Sequence, residues 1–321
     1  MTRILTVIII ILAAVLVGII LYPQIQENRP MPLRFACDSS VAALPFLVAS
    51  DDTLFVKNRI LPELVFYSDP EQALTELFAG KTDVGVFPWS TILRHMSTKG
   101  ETLLVFMAVE FRPALPVDVL AKVKKSRINK LTDLKGKRLG YPPILRDYVA
   151  ALLGEIGLKP ADVKLTEASL TALSAMLTAG QLDAAWLVEP AVCPLNLNTV
   201  DTLSAIATRY LNNPFPAFAI GFSPEFLKKT TRAQRTRLKI ALDMAVDRID
   251  ARPEEGKQTL GRYFPYCQNV CGFCRLPQYQ RLVEINRPAV QTLAARLLRL
   301  GIVSDTIDTK RLFVEPAQMM R

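Results

Sequence analysis

The chain has 321 residues, half of them hydrophobic and 21% charged, which excludes the disordered and fibrous classes and leaves room for a large core. At roughly 100–200 residues per domain, this length suggests two lobes. The formal net charge of +9 suits anionic ligands or anionic lipid headgroups. The basic runs at 122–127, 135–138 and 228–237 carry no interleaved aromatics, so they read as solvated surface and not as a nucleic-acid path.

The first element is apolar. From Ile4 to Tyr22 only Thr6 is clearly polar, and no charge falls between Arg3 and Glu27. A spanning helix needs about 20 apolar residues and a cleavable signal core about 7–15. Tyr22-Pro23-Gln24 follows without a small-x-small cleavage site, so residues 1–31 read as an uncleaved signal anchor and linker. A long signal peptide that is removed is the alternative. Cys37 lies 16 residues past Leu21, too far along to be a lipoprotein cysteine. Arg3 before the span and Arg29 and Arg34 after it leave the orientation open.

Residues 33–37 read as a strand entering a helix near Val41. Asp69-Pro70 has the form of an N-cap followed by proline at the first helical position. That helix ends at Gly80, where a left-handed residue fits. The apolar run 84–87 then suits a buried parallel strand. His95, the chain's single histidine, falls in a predicted helix over 91–96.

The second hundred residues echo the first. Ala79-Gly80-x-x-Asp83 returns as Ala179-Gly180-x-x-Asp183, and Leu77 returns as Leu177. A strand at 137–141 enters a helix over 146–156 closed by Gly157, Ser169 caps a further helix, and 184–188 is again an apolar run. Each half therefore reads as strand, helix, strand, helix, strand, and the expected architecture is two parallel α/β sheets with helices on their faces. Beyond them, Leu238, Leu242, Ala245 and Ile249 recur at helical spacing until Pro253. Pro288 opens another helix, with Leu293, Leu297 and Leu300 inside it and Gly301 past its end.

Three phrases carry a family resemblance. Leu134-Lys135-Gly136-Lys137-Arg138-Leu139-Gly140, Gly157-Leu158-Lys159-Pro160-Ala161-Asp162-Val163, and Ala179-Gly180-Gln181-Leu182-Asp183-Ala184-Ala185 followed by Glu189-Pro190 resemble, in order and spacing, the substrate-binding proteins of nitrate, sulfonate, taurine and thiamine-precursor ABC importers. The likeness covers about 33–313. It implies a two-lobed type II periplasmic-binding-protein fold with two crossings between lobes: 32–112 plus 213–321 as the first lobe and 113–212 as the second. It also implies an extracytoplasmic protein, tethered by its N-terminal helix. Such a protein would act as a monomer, hold a small anionic or zwitterionic ligand and be partnered by a permease.

Ligands of open α/β sheets sit beyond the carboxyl ends of the strands, where helix N-termini offer free N–H groups. By that rule the candidate contacts are Asp38, Ser39 and Ser40 after the first strand, and Trp89 and Ser90 after the third. Phe111 and Arg112 lie at the first crossing, Leu145, Arg146 and Asp147 open the helix after Tyr141, and Trp186 and Glu189 come from the second-lobe strand pair. Each has a plainer reading: Trp186 as core, Ser39 and Ser40 as caps, Arg146 as a solvated first-turn residue, Glu189 as a brace beside Pro190. Asp38 and Glu189 are expected to face each other across the cleft. In one departure from the family pattern, Pro142-Pro143-Ile144-Leu145 stands where many relatives carry a small hydroxyl residue, which disfavours a simple nitrate or sulfonate.

Cys267, Cys271 and Cys274 form a C-x3-C-x2-C run. Radical S-adenosylmethionine enzymes hold an iron–sulfur cluster with this spacing, but there it opens the enzyme domain, whereas here it comes late in the chain. Thiamine-pyrimidine synthases, similar to these binding proteins, hold iron with a cysteine-rich loop that falls elsewhere. The run therefore reads as a disulfide of Cys267 with Cys271 or Cys274, as free thiols, or as the ligands of iron or an iron–sulfur cluster. That last case defines the rival function, a metal-dependent enzyme on the same fold; the leading reading needs no cofactor and no catalytic residue.

Overall fold

Eleven strands in two sheets organise the chain, which the computed structural model describes at Thr6, 10–19 and 29–320. Strands β1 (Met31–Cys37), β2 (Ile60–Phe66), β3 (Val84–Pro88) and β4 (Leu104–Phe111) begin a larger sheet. The chain then builds a smaller sheet from β5 (Asp118–Val123), β6 (Arg138–Tyr141), β7 (Lys164–Glu167), β8 (Ala184–Val188) and β9 (Val200–Ser204). It returns with β10 (Phe215–Phe222) and β11 (Gln278–Arg281) to complete the first. The strand orders are β11-β4-β10-β3-β1-β2 and β7-β6-β8-β5-β9.

Both sheets share one plan. A parallel trio, β2-β1-β3 or β7-β6-β8, accepts an antiparallel strand beside its third member: β10 against β3, and β5 against β8. The expectation of purely parallel sheets is corrected by these strands. Parallel pairing needs a long crossover, usually a helix. Here β5 and β10 each follow a short crossing from the other sheet and pair antiparallel instead.

The Ala-Gly-x-x-Asp echo is a folding device. Gly80 and Gly180 take φ of +72° and +71°, ending the helices Pro70–Phe78 and Leu170–Thr178 in a conformation that costs a side-chain-bearing residue about 1–2 kcal/mol. Asp83 and Asp183 then tie down β1 and β6, the middle strands of the two parallel trios. Arg34 N–H donates to Asp83 Oδ2 at 2.8 Å and its Nε to the same oxygen at 3.2 Å. Arg138 repeats both bonds onto Asp183 Oδ2 at 2.8 and 3.2 Å.

Asp69 and Ser169 cap their helices as expected, accepting from Glu71 N and Ala172 N. Leu238, Leu242, Ala245 and Ile249 line the buried face of helix Arg232–Ala251, which packs on helix Leu44–Asp51. As expected, Pro253 ends helix Arg232–Ala251. It takes the first position of a new helix, Pro253–Tyr263, where its missing N–H costs nothing. Residues 10–19 are helical and exposed. Among the described residues no helix is long and apolar enough to cross a membrane, and the rest of the expected span lies outside those residues.

Candidate functional site

A cavity of about 50 Å³ lies between the two sheets, lined by Asp38, Ser39, Tyr67, Ser68, Pro142, Pro143, Ile144, Ser169 and Leu170. The topology puts them there. Asp38 and Ser39 follow β1, Tyr67 and Ser68 follow β2, Pro142–Ile144 follow β6, and Ser169 and Leu170 come just after β7. All four segments thus stand at carboxyl ends of parallel strands, two from each sheet, where open α/β sheets hold ligands.

The lining has a definite chemistry. Asp38 is buried, and both its carboxylate oxygens accept from Ser40 Oγ, at 3.0 and 2.9 Å, with Ser40 N–H adding a bond of 3.1 Å. Burial pushes its carboxyl up to about 6, although the Ser40 hydrogen bonds pull the other way. The nearby helix starts are already capped from within, by Ser40 onto Ala42 N, Asp69 onto Glu71 N and Ser169 onto Ala172 N. No Lys or Arg lines the cavity among the described residues. An oxyanion would therefore meet occupied N–H groups and a buried carboxyl, while a ligand amine would meet an acceptor.

Of the other sequence candidates, several belong to the cores. Trp89 is fully buried, with its ring centroid 5.9 Å from that of Phe313. Trp186 is equally buried and donates its Nε1–H to Asp118 Oδ2 at 2.9 Å, so neither indole is free to stack on a ligand. Phe111 packs with Phe215 and Phe218. Arg112 turns back to Glu110 at 2.9 Å. Leu145 is buried at the head of helix Arg146–Glu155. The structure brings Tyr67, Ser68, Pro142, Pro143, Ile144 and Leu170 to the cavity instead. The strand-end rule, applied to β1, β2, β6 and β7 alike, would have found them.

Arg146, Asp147 and Ser90 act at the seam. Arg146 forms a fork with Glu167, two bonds of 2.7 Å, and reaches Asp69 of the larger-sheet half at 3.3 Å. Asp147 accepts from Arg94 Nε at 3.0 Å, and Arg94 also holds Glu71. Ser90 N–H donates to Tyr148 Oη, which donates on to Ala217 O at 2.9 Å. The start of helix Arg146–Glu155 is thereby clasped across the seam, consistent with a nearly closed cleft. Pockets that enclose drug-sized ligands run about 300–1,000 Å³, several times the volume of this cavity.

Glu189 braces a second junction. Its carboxylate accepts from Cys193 N at 3.1 Å and Arg275 N at 3.2 Å, and its backbone carbonyl accepts from Val41 N at 3.0 Å. Burial pushes the carboxyl up to about 7, with the two N–H groups opposing. The Glu189 carboxylate is held by the 193 and 275 amides, an arrangement that matches its plainer reading as a brace.

All five cysteines are free thiols, so the disulfide within 267–274 is not formed. Nor do the three cysteines of the run gather as one ligand set. Cys271 directs its thiol to Gln268 O at 3.4 Å and Cys267 to Phe264 O at 3.2 Å, whereas the sulfur of Cys274 lies within 4.8 Å of that of Cys193, from the loop after β8.

Comparison with known proteins fits this geometry. The pattern described as NMT1/THI5 like matches residues 41–255. The chain belongs to this family. A protein of Haemophilus influenzae with the provisional name of thiamine biosynthesis protein is 28% identical over 223 residues, 68% of each chain. The alkanesulfonate-binding protein SsuA of Xanthomonas axonopodis pv. citri superposes with a TM-score of 0.71 at 18% identity, covering 89% of this chain and 99% of its own. The periplasmic nitrate-binding protein NrtA of Synechocystis PCC 6803 does so with a TM-score of 0.68 at 13% identity, covering 88% and 85%. At such identities these two structures define the fold, the two-sheet architecture of periplasmic binding proteins.

Proposed function

We propose that this family member is an extracytoplasmic solute-binding protein that closes its two halves on a small organic zwitterion for ABC-type uptake. The observation that carries the reading is the cavity built from four strand ends, two per sheet, with Asp38 as its buried acceptor. Between the anionic and zwitterionic ligands that the sequence suggests, the lining fits the zwitterion: Asp38 takes an ammonium or amidine-type donor, and the serines with Tyr67 serve its polar remainder. The apolar run at 4–22 supports a membrane tether on the extracytoplasmic side, the fold supports a permease as partner, and a self-contained pair of sheets supports a monomer.

The test is a melting-shift screen of amino acids, aminopyrimidines, carboxylates and sulfonates. A ligand at a hundredfold excess over its Kd stabilises the folded state by about 2.7 kcal/mol. The expected result is a shift confined to amine-bearing zwitterions or heterocycles and lost on Asp38→Asn, which should weaken binding about tenfold or more for a hydrogen bond to a charged group. A shift with simple sulfonates that survives Asp38→Asn would contradict the reading.

A further inference from the structure

Cys193 and Glu189 stand on the loop between β8 and β9 of the smaller-sheet half, and Cys267 and Cys274 on the turns between helix Pro253–Tyr263 and β11 of the larger. The thiols of Cys193, Cys267 and Cys274 lie beside one another, with those of Cys193 and Cys267 directed to Pro190 O at 3.3 Å and Phe264 O at 3.2 Å. A carboxylate oxygen of Glu189 and the sulfurs of Cys193 and Cys274 all lie within 4.8 Å of each other. Glu189, Cys267 and Cys274 are buried.

Four donors, three of them soft sulfurs, converge here from both halves of the molecule. We propose that Glu189, Cys193, Cys267 and Cys274 form a zinc site that fastens the two halves together behind the ligand cavity. Zinc takes tetrahedral sites of thiolate and carboxylate ligands at about 2.3 and 2.0–2.2 Å, and a thiolate-rich set selects it over magnesium or calcium. The edge of such a tetrahedron is roughly 3.7 Å, so Glu189, Cys193 and Cys274, already within 4.8 Å of each other, need a contraction of about 1 Å, and Cys267 completes the set by turning its thiol from Phe264 O. The backbone N–H groups of Cys193 and Arg275 hold the two oxygens of Glu189, the kind of outer partner that orients a ligating carboxylate. Four protein donors leave no open position, so the site is structural. Its effect is to resist any motion that parts 189–193 from 267–274. Cys37 and Cys271 stand outside it, their thiols directed to Phe35 O and Gln268 O.

The full chain, purified under reducing conditions and stripped with a chelator, is titrated with Zn²⁺ and, as a spectroscopic probe, with Co²⁺. The expected result is one ion per chain, a tetrahedral thiolate cobalt spectrum, and zinc-dependent protection of Cys193, Cys267 and Cys274 from alkylation. C193S, C267S and C274S should each lower zinc affinity by more than the roughly 10–100-fold typical of an outer-shell partner, while C37S and C271S leave it unchanged. The wild-type measurements stand if a variant fails to fold. The proposal is overturned if the reduced wild type binds no stoichiometric zinc or if C271S loses affinity as C193S does. A protein isolated with Cys193 quantitatively disulfide-bonded to Cys267 or Cys274 would overturn it too.

Discussion

Asp118 opens β5 in full burial, with Oδ2 accepting from Trp186 Nε1 and Ala207 N at 2.9 and 2.8 Å, while Oδ1 has no hydrogen-bond partner among the described residues. Burial pushes its carboxyl from 3.8 up to about 6. An acid whose folded value is raised keeps its proton longer in the folded state. Its contribution is therefore most favourable at low pH and declines as pH rises from about 4 to 6. At 1.36 kcal/mol per unit, the decline is about 3 kcal/mol. Asp118→Asn should accordingly gain about that much stability relative to wild type between pH 4 and pH 7, read from paired denaturant melts; parallel pH profiles would refute it. The Asp118–Trp186 bond also shows why the sequence left the indole open between core and ligand contact. A tryptophan in a five-residue apolar strand carries no mark of which neighbour caps its N–H. Cys193 was hidden for a related reason. The C-x3-C-x2-C spacing drew attention to three neighbours in sequence, while the third thiol of the spatial cluster comes from another sheet.

At the level of elements, the echo was the most readable feature because it is local: a helix stop, a glycine with positive φ, and an aspartate poised to tie the strand. Its depth was not readable, since Arg34 and Arg138 gain meaning only when both prove to bind that aspartate in the same way. Asp83→Ala and Asp183→Ala should each cost about 2 kcal/mol, the scale of hydrogen bonds to a charged group. Lying in separate halves, they should add in the double variant. Urea denaturation of the three variants checks this, and a cost confined to one half would deny the equivalence. The strands β5 and β10, and their antiparallel direction, were not drawn from the sequence. Strand direction depends on where the chain arrives from, which a local pattern does not encode. Pro253 stops one helix as expected and, by the same chemistry, starts the next.

For the molecule as a whole, the seam decides function. Arg146 bridges to Asp69 and Arg94 to Asp147, across an interface that must open to admit ligand. Such half-exposed ion pairs are worth about 0–1 kcal/mol each, enough to bias closure without locking it. Arg146→Ala should therefore weaken ligand binding by no more than about fivefold, chiefly through faster release, in stopped-flow or surface-binding kinetics. The two sheets could be reasoned from the duplicated pattern and the crossings were implied by the family resemblance, but the cavity lining could not be assembled from single residues. Tyr67, Ser68 and Leu170 are unremarkable in sequence and acquire significance only as strand-end neighbours.

The most direct test of the central claim is hydrogen–deuterium exchange of the full chain with and without the zwitterion that gives the largest melting shift. Protection is expected in four segments together, at 38–41, 67–70, 142–146 and 168–171, from both sheets. Protection confined to one sheet, or centred on surfaces away from these strand ends, would contradict the account.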